Sequence, residues 1–380
     1  MESKTKLLIA IDSFKGSLSS LEAATIIEKG FKKIIPELIV KKIPFADGGE
    51  GTVEAIVEAL EGEYVEIKVR DPLNRTINAK YGVVHNGTTA VIEMAAASGI
   101  THLTDTEKNP LKTTTYGTGQ LIKDAISRGC SKIVLGIGGS ATNEGGIGMA
   151  SALGAKFIDV NGEDVELDGE SLSKLASVDL SEMDTLLENI EVITLCDVNN
   201  PLCGEEGASY IYGPQKGATK EKVLLLDKNL SHFAEVIEKK REQSFQYVPG
   251  TGAAGGLGFG AIVFLNSSLV SGTKYLMELL KLNETIEQYD IVITGEGKID
   301  SQTKYDKLPA GIAKLAKKHN KFSICIAGGF GEGVEEYQDV YFDKMYSIVS
   351  KEISVEESMN NANEHLGKLS EEIAKELFKD

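Results

Sequence analysis

Tryptophan is absent from the 380 residues, and cysteine, histidine and proline occur only four, five and eight times. Each shortage closes off a class of chemistry. Cys130, Cys196, Cys203 and Cys325 form no Cys-x-x-Cys pair, which argues against a zinc ribbon or a disulfide frame and reads as reduced, mostly buried thiols. No His-Glu-x-x-His occurs, and each histidine reads as a surface or helix-end residue. The longest apolar runs, such as 7–11 and 261–265, fall far short of the roughly 20 residues a bilayer span needs. No membrane partner is expected. Residues 1–6 lead directly into a strand-like segment without an apolar signal core, so the expected location is cytoplasmic. Basic residues number 40 against 57 acidic ones, a formal charge of −17 that repels a nucleic-acid backbone over most of the surface. Nucleic acid is therefore not an expected partner.

Glycine is abundant: 40 residues, well above a norm of about 7%. It clusters at 48–51, 136–148, 250–260 and 328–333, each beside an apolar run. The run 7–11 has the pattern of a strand buried on both faces in a parallel sheet. Ser19-Ser20-Leu21-Glu22 then reads as a capping box, and apolar residues at helical spacing continue until Pro36. A second strand, 38–43, and a helix, 52–60, complete a βαβα start. Alternating segments 64–69 and 77–84 flank Asp71-Pro72-Leu73-Asn74 and predict an antiparallel hairpin. Strand and helix patterns then alternate to the C-terminal helix. The expected class is α/β, with a Rossmann-like domain built from both chain ends (1–65 and 286–380) and an inserted mixed α/β domain (66–285).

Ligands of α/β sheets bind beyond the carboxyl ends of strands, so the polar residues after each apolar run are the candidates. These are Asp12, Ser13, Lys15 and Ser17, then Asp47 and Glu50, then Gly138, Gly139, Ser140, Thr142, Asn143 and Glu144. Asp197, Asn199 and Asn200 follow, and finally Glu296 and Asp300. The set mixes hard oxygen ligands of the Mg²⁺ type, one lysine, and glycines whose amides can meet phosphate oxygens. Gly138 to Asn143 reads equally as an anion cradle at a helix start or as a tight βα turn. Gly250, Gly252 and Gly255 spell a literal Gly-x-Gly-x-x-Gly, but no clear strand precedes it. Only four arginines occur, so anion recognition falls to lysines and amides, with Lys216 and Lys307 as further loop candidates. No Walker A sequence is present. Spacing and chemistry together favour phosphoryl transfer to a small hydroxylated acceptor with Mg²⁺, and they do not name the acceptor.

Eight runs resemble the bacterial glycerate kinases of glucarate and glyoxylate metabolism. They are Asp12 to Ser19, Ala46 to Thr52, Tyr116 to Gly119, Gly138 to Asn143, Cys196 to Leu202, Gly213 to Ala218, Gly252 to Gly256 and Thr294 to Asp300. They span nearly the whole chain in order. The resemblance implies ATP-dependent phosphorylation of D-glycerate, with the 2-hydroxyl favoured over the 3-hydroxyl, and two domains enclosing a cleft. On that basis Lys15 and Asp47 are the expected catalytic pair, the lysine meeting the substrate carboxylate and the aspartate taking the hydroxyl proton. Ser13, Ser17, Glu50 and Asn199 are expected at the substrate, and Gly138, Gly139, Ser140, Thr142, Asn143 and Lys216 at the nucleotide. Asp197, Glu296 and Asp300 are expected near Mg²⁺. The chain departs from the family pattern at Ile11, commonly proline, at Glu144, usually aspartate, and at Asp306, commonly glycine in a turn beside Lys307.

Two other readings follow from the same residues. An NAD-dependent oxidoreductase acting on a small hydroxy acid would use the Gly-x-Gly-x-x-Gly, although the acidic ribose partner is missing at the expected distance. A non-catalytic sugar-acid sensor would keep the ligand loops without the acids around Mg²⁺. Oligomeric state is left open, a homo-oligomer included.

Overall fold

Lys6–Ile11 is the strand the apolar run predicts: Leu7 to Ile11 are fully buried, as a central strand covered on both faces must be. In the computed structural model, residues 5–45, 51–300, 308–334, 337–338 and 340–378 are described. The chain forms two compact units, Met1–Asp47 with Thr273–Asp380, and Gly48–Gly272. The sequence placed its boundaries at 65/66 and 285/286. Helix Thr52–Ala59 falls with the inner unit because it packs on strands Thr76–Val84 and Thr89–Glu93. Among the described residues no helix is long and apolar enough to cross a membrane.

The unit made from the chain ends carries a five-stranded, wholly parallel sheet. Lys6–Ile11 pairs with Ile39–Pro44 on one side and Ile291–Thr294 on the other, and Phe322–Ala327 and Lys344–Ser347 extend it. Numbered within the sheet, the order is 2-1-3-4-5, a doubly wound arrangement whose direction of winding reverses between the first and third strands. Helix Ser20–Ile34 begins as expected: Ser19 Oγ accepts from the Glu22 amide, and the Glu22 carboxylate accepts from the Ser19 amide. The helix lies against the C-terminal helix Ala362–Leu377, where Gly30 allows the backbone at Gly367 and the Ser370 side chain to come close. Ile9, Ile11, Phe31, Ile293, Ile324, Leu366 and Ile373 fill the space between sheet and helices.

The inner unit has a six-stranded mixed sheet. Glu63–Arg70, Thr76–Val84 and Thr89–Glu93 form an antiparallel meander, and Lys132–Gly136, Glu191–Leu195 and Ser268–Val270 continue in parallel. The predicted hairpin is present, with Arg70 opposite Thr76. Its turn is closed by buried Asp71, whose carboxylate accepts from the amides of Leu73 and Arg75, both at 2.8 Å, and from the Arg75 guanidinium. Phe157, Phe233, Phe259 and Phe264 interlock edge to face in the core.

The Gly-x-Gly-x-x-Gly segment opens the apolar helix Ala253–Leu265, and Ala254, Gly255 and Gly256 all take left-handed φ, between 54° and 88°. The chain leading into it comes from helix Lys220–Arg241, not from a strand. Here glycine serves backbone packing: a Cβ at Gly255 would collide with the Thr142 carbonyl oxygen, while the Gly255 carbonyl accepts from the Gly145 amide at 3.1 Å. Gly255→Ala is expected to lower stability by more than about 1 kcal/mol. Gly162→Ala shares a positive φ of 87° but has open space around it, so its loss should be smaller. Urea midpoints of the two variants measure the difference.

Candidate active site

In the unit built from the chain ends, two segments leave neighbouring strands at the reversal point of the sheet. After Ile11 the chain forms a tight turn: the amides of Ser17 and Leu18 donate to the Phe14 carbonyl at 2.9 and 3.1 Å, and the Phe14 amide donates to Leu18. Phe14 is buried beneath the turn, and Gly16 takes φ 80°, so Lys15 is lifted into solvent. The Ser17 hydroxyl also donates to Phe14, at 2.9 Å, and Ser13 is half-buried, its amide donating to Asp12 Oδ1 at 2.6 Å.

The second segment follows Thr294. The Asp12 amide donates to the Gly295 carbonyl at 3.0 Å, which couples the two. A Cβ at Gly297 would lie 3.3 Å from the Lys15 backbone nitrogen, and one at Gly295 would meet the Ile326 carbonyl oxygen, so both glycines permit close approach of neighbouring backbones. Glu296 is half-buried between them. Burial, with the Glu296 charge adding to it, pushes the Cys325 thiol far up. Asp300 Oδ2 stands 3.7 Å from Lys298 Nζ, and the Asp300 carbonyl accepts from the Tyr337 hydroxyl at 3.0 Å. Lys15, Ser13, Ser17, Glu296 and Asp300 thus belong to one strand-end region. Asp47, Glu50, Asp306 and Lys307 lie outside the described residues.

In the inner unit the corresponding region is the segment after strand Lys132–Gly136. Gly138 is half-buried and Gly139 exposed, with φ 73° at Gly139. An isolated bridge to Gly99 pins the loop: the Ala141 amide donates to Ser98 at 3.0 Å and the Ile100 amide to Gly139 at 2.9 Å. Beneath it the side chains turn inward. Lys216 is only 2% exposed, and its Nζ donates to Ser140 Oγ at 2.6 Å and to the Thr142 carbonyl at 2.7 Å. Asn143 Nδ2 donates to Ser209 Oγ at 3.2 Å, and the fully buried Thr142 Oγ1 has no hydrogen-bond partner among the described residues. The loop therefore presents Gly138 and Gly139 outward, with Ser140 buried beside them.

Glu144, which the sequence placed only at the end of this loop, is 0% exposed and the centre of a network. Its carboxylate accepts from the Thr115 amide at 2.6 Å, the Ile147 amide at 2.9 Å, the Gly146 amide and the Thr115 hydroxyl. The Thr115 hydroxyl also accepts from Met149 N at 2.8 Å. Sequence reasoning missed Thr115 and Ser209. A lone Thr or Ser carries no spacing signal, although Thr115 directly precedes the Tyr116 to Gly119 run. Asp197 is exposed at the end of strand Glu191–Leu195, where its Oδ1 accepts from Ser271 Oγ at 2.7 Å and the Gly272 amide at 3.1 Å. Asn199 is exposed two residues on, and Asn200 ties down its loop through Glu206 and Tyr212.

Burial pushes the Lys216 ammonium down to about 7, against the opposing pull of the Glu144 charge, and pushes the Glu144 carboxyl up despite its donors. Between about 7 and the unfolded lysine value of 10.5, the unfolded chain holds a proton that the folded chain has lost. This group's contribution to stability therefore rises with pH through that window. Urea unfolding at several pH values should show wild type gaining stability relative to Lys216→Met between pH 7 and about 10.

The glycerate kinase family profile matches residues 7–378. The chain is 47% identical over 97% of each sequence to a glycerate kinase of Halalkalibacterium halodurans, and 44% identical over 98% of each to a glycerate 2-kinase of Escherichia coli. It superposes with a TM-score of 0.86 and 43% identity on a crystal structure assigned as glycerate kinase 2 from Salmonella typhimurium LT2, covering 99% of this chain and 98% of that one. The oxidoreductase reading is not supported, and its glycine motif serves packing around Thr142. With its doubly wound sheet, its strand-end loops and this likeness along its whole length, the chain belongs to the glycerate kinase family of phosphotransferases.

Proposed function

We propose that the protein transfers the terminal phosphoryl group of ATP to the 2-hydroxyl of D-glycerate, with Mg²⁺ as the accompanying cation. The observation that carries this is the Lys15 turn beside the Gly295–Asp300 segment, past the carboxyl ends of adjacent strands where the winding of the sheet reverses. The name glycerate 2-kinase of the Escherichia coli relative supports the choice of hydroxyl.

The exposed Lys15 ammonium supplies the counter-charge for the substrate carboxylate, with Ser13, Ser17, Glu50 and Asn199 contributing hydrogen bonds. Asp47 accepts the proton of the attacking hydroxyl. Gly138, Gly139 and Ser140 meet the nucleotide phosphates through amides and a hydroxyl, while Thr142, Asn143 and Lys216 shape that loop. Asp197, Glu296 and Asp300 offer the hard oxygen donors that suit Mg²⁺. Mg²⁺ is commonly held by one or two carboxylates together with the phosphates of its nucleotide. When bound, such an ion neutralises charge on the phosphates.

A coupled assay should give ADP release dependent on D-glycerate, and phosphorus NMR should identify 2-phosphoglycerate. NADH formation with NAD, or no turnover, would reject the reading. Asp47→Asn should lower kcat roughly a hundredfold to ten-thousandfold. Near-normal turnover would remove Asp47 from the role of base. Lys15→Met should raise the KM for glycerate about tenfold or more, the loss of a charge-assisted hydrogen bond, with a smaller effect on the KM for ATP.

A further inference from the structure

Lys216 is too deeply buried to touch a ligand, yet its ammonium bonds the hydroxyl of Ser140, the residue that follows the surface glycines Gly138 and Gly139 in the loop. Its Nζ is 2.6 Å from Ser140 Oγ and 2.7 Å from the Thr142 carbonyl oxygen, with Lys216 2% and Ser140 8% exposed. An ammonium has three donors and no acceptor. Towards it, Ser140 Oγ can only accept.

We infer that Lys216 is a positioning residue that acts on nucleotide through Ser140: by occupying a lone pair of Oγ it turns the Ser140 hydroxyl proton outward, as a donor to a phosphate oxygen. This rests on the kinase reading of the loop. The lysine also polarises that hydroxyl, so its charge reaches the phosphate through one intervening oxygen. The Thr142 carbonyl takes a second ammonium proton and fixes the direction of the lysine. Glu144, the acid whose charge bears on Lys216, is itself held by amides of Thr115, Gly146 and Ile147, so the polar groups beneath the loop are oriented before ligand arrives.

The test is a double-mutant cycle on the full chain, read as calorimetric affinity for the non-hydrolysable ATP analogue AMP-PNP at about pH 6, where Lys216 carries its proton. Ser140→Ala and Lys216→Met should each weaken binding roughly tenfold to a hundredfold, the range of one hydrogen bond to a charged group. The double variant should bind no more weakly than the weaker single one. Ser140→Thr, which keeps a hydroxyl, should stay within about threefold of wild type, well inside the loss expected for one hydrogen bond. Losses that add in the double variant, or Ser140→Ala binding like wild type, would overturn the inference. Should Lys216→Met unfold, the alanine and threonine variants at Ser140 still decide, since both keep the lysine. Wild type that binds AMP-PNP but leaves glycerate unphosphorylated would reject the functional reading alone. Glycerate turnover with an indifferent Ser140→Ala would reject only the inference.

Discussion

Two ionisable side chains, Glu144 and Lys216, buried under one glycine-rich loop set the terms for the inner unit. Removing a glutamate and a lysine from water costs several kcal/mol each unless their hydrogen-bonding atoms find partners. Glu144 is met by Thr115, Gly146 and Ile147, and Lys216 by Ser140 and the Thr142 carbonyl. Satisfying both ties together chain segments up to 76 residues apart and leaves the loop between Gly138 and Glu144 little freedom. The left-handed stretch at Ala254 to Gly256 closes it from behind, since only glycine at 255 lets that backbone lie against Thr142.

The unit built from the chain ends meets its constraint differently. Its strand-end segments are joined by backbone hydrogen bonds. Asp12 bonds to Gly295, Gly328 to Glu296 and Gly329 to Gly297. Glycine at 295, 297 and 328 allows the backbones to pack this closely, and Phe14 anchors the turn that displays Lys15.

Much of the architecture was legible in the residues. The run 7–11, the capping box at Ser19 and the Asp71 turn have local physical causes, namely burial on both faces, paired caps and an Asx turn, and each appears as read. The strand-end positions of Lys15, Glu296 and Gly138 to Asn143 follow from the same logic. The unit boundary at 47/48 was not legible, because it depends on helix Thr52–Ala59 choosing the meander as its packing surface.

From its sequence alone the chain was determined to be an α/β protein with acidic and glycine-rich strand ends and the motif runs of the glycerate kinase family, since periodicity, capping and turn chemistry act over a few residues. Tertiary structure decided which polar residues face inward. Lys216 and Glu144 look like loop residues in the sequence and are buried in the fold, and the glycines at 250–256 look like a nucleotide fingerprint and serve as packing surface. Burial and close backbone approach depend on partners distant in the chain, which local pattern does not encode.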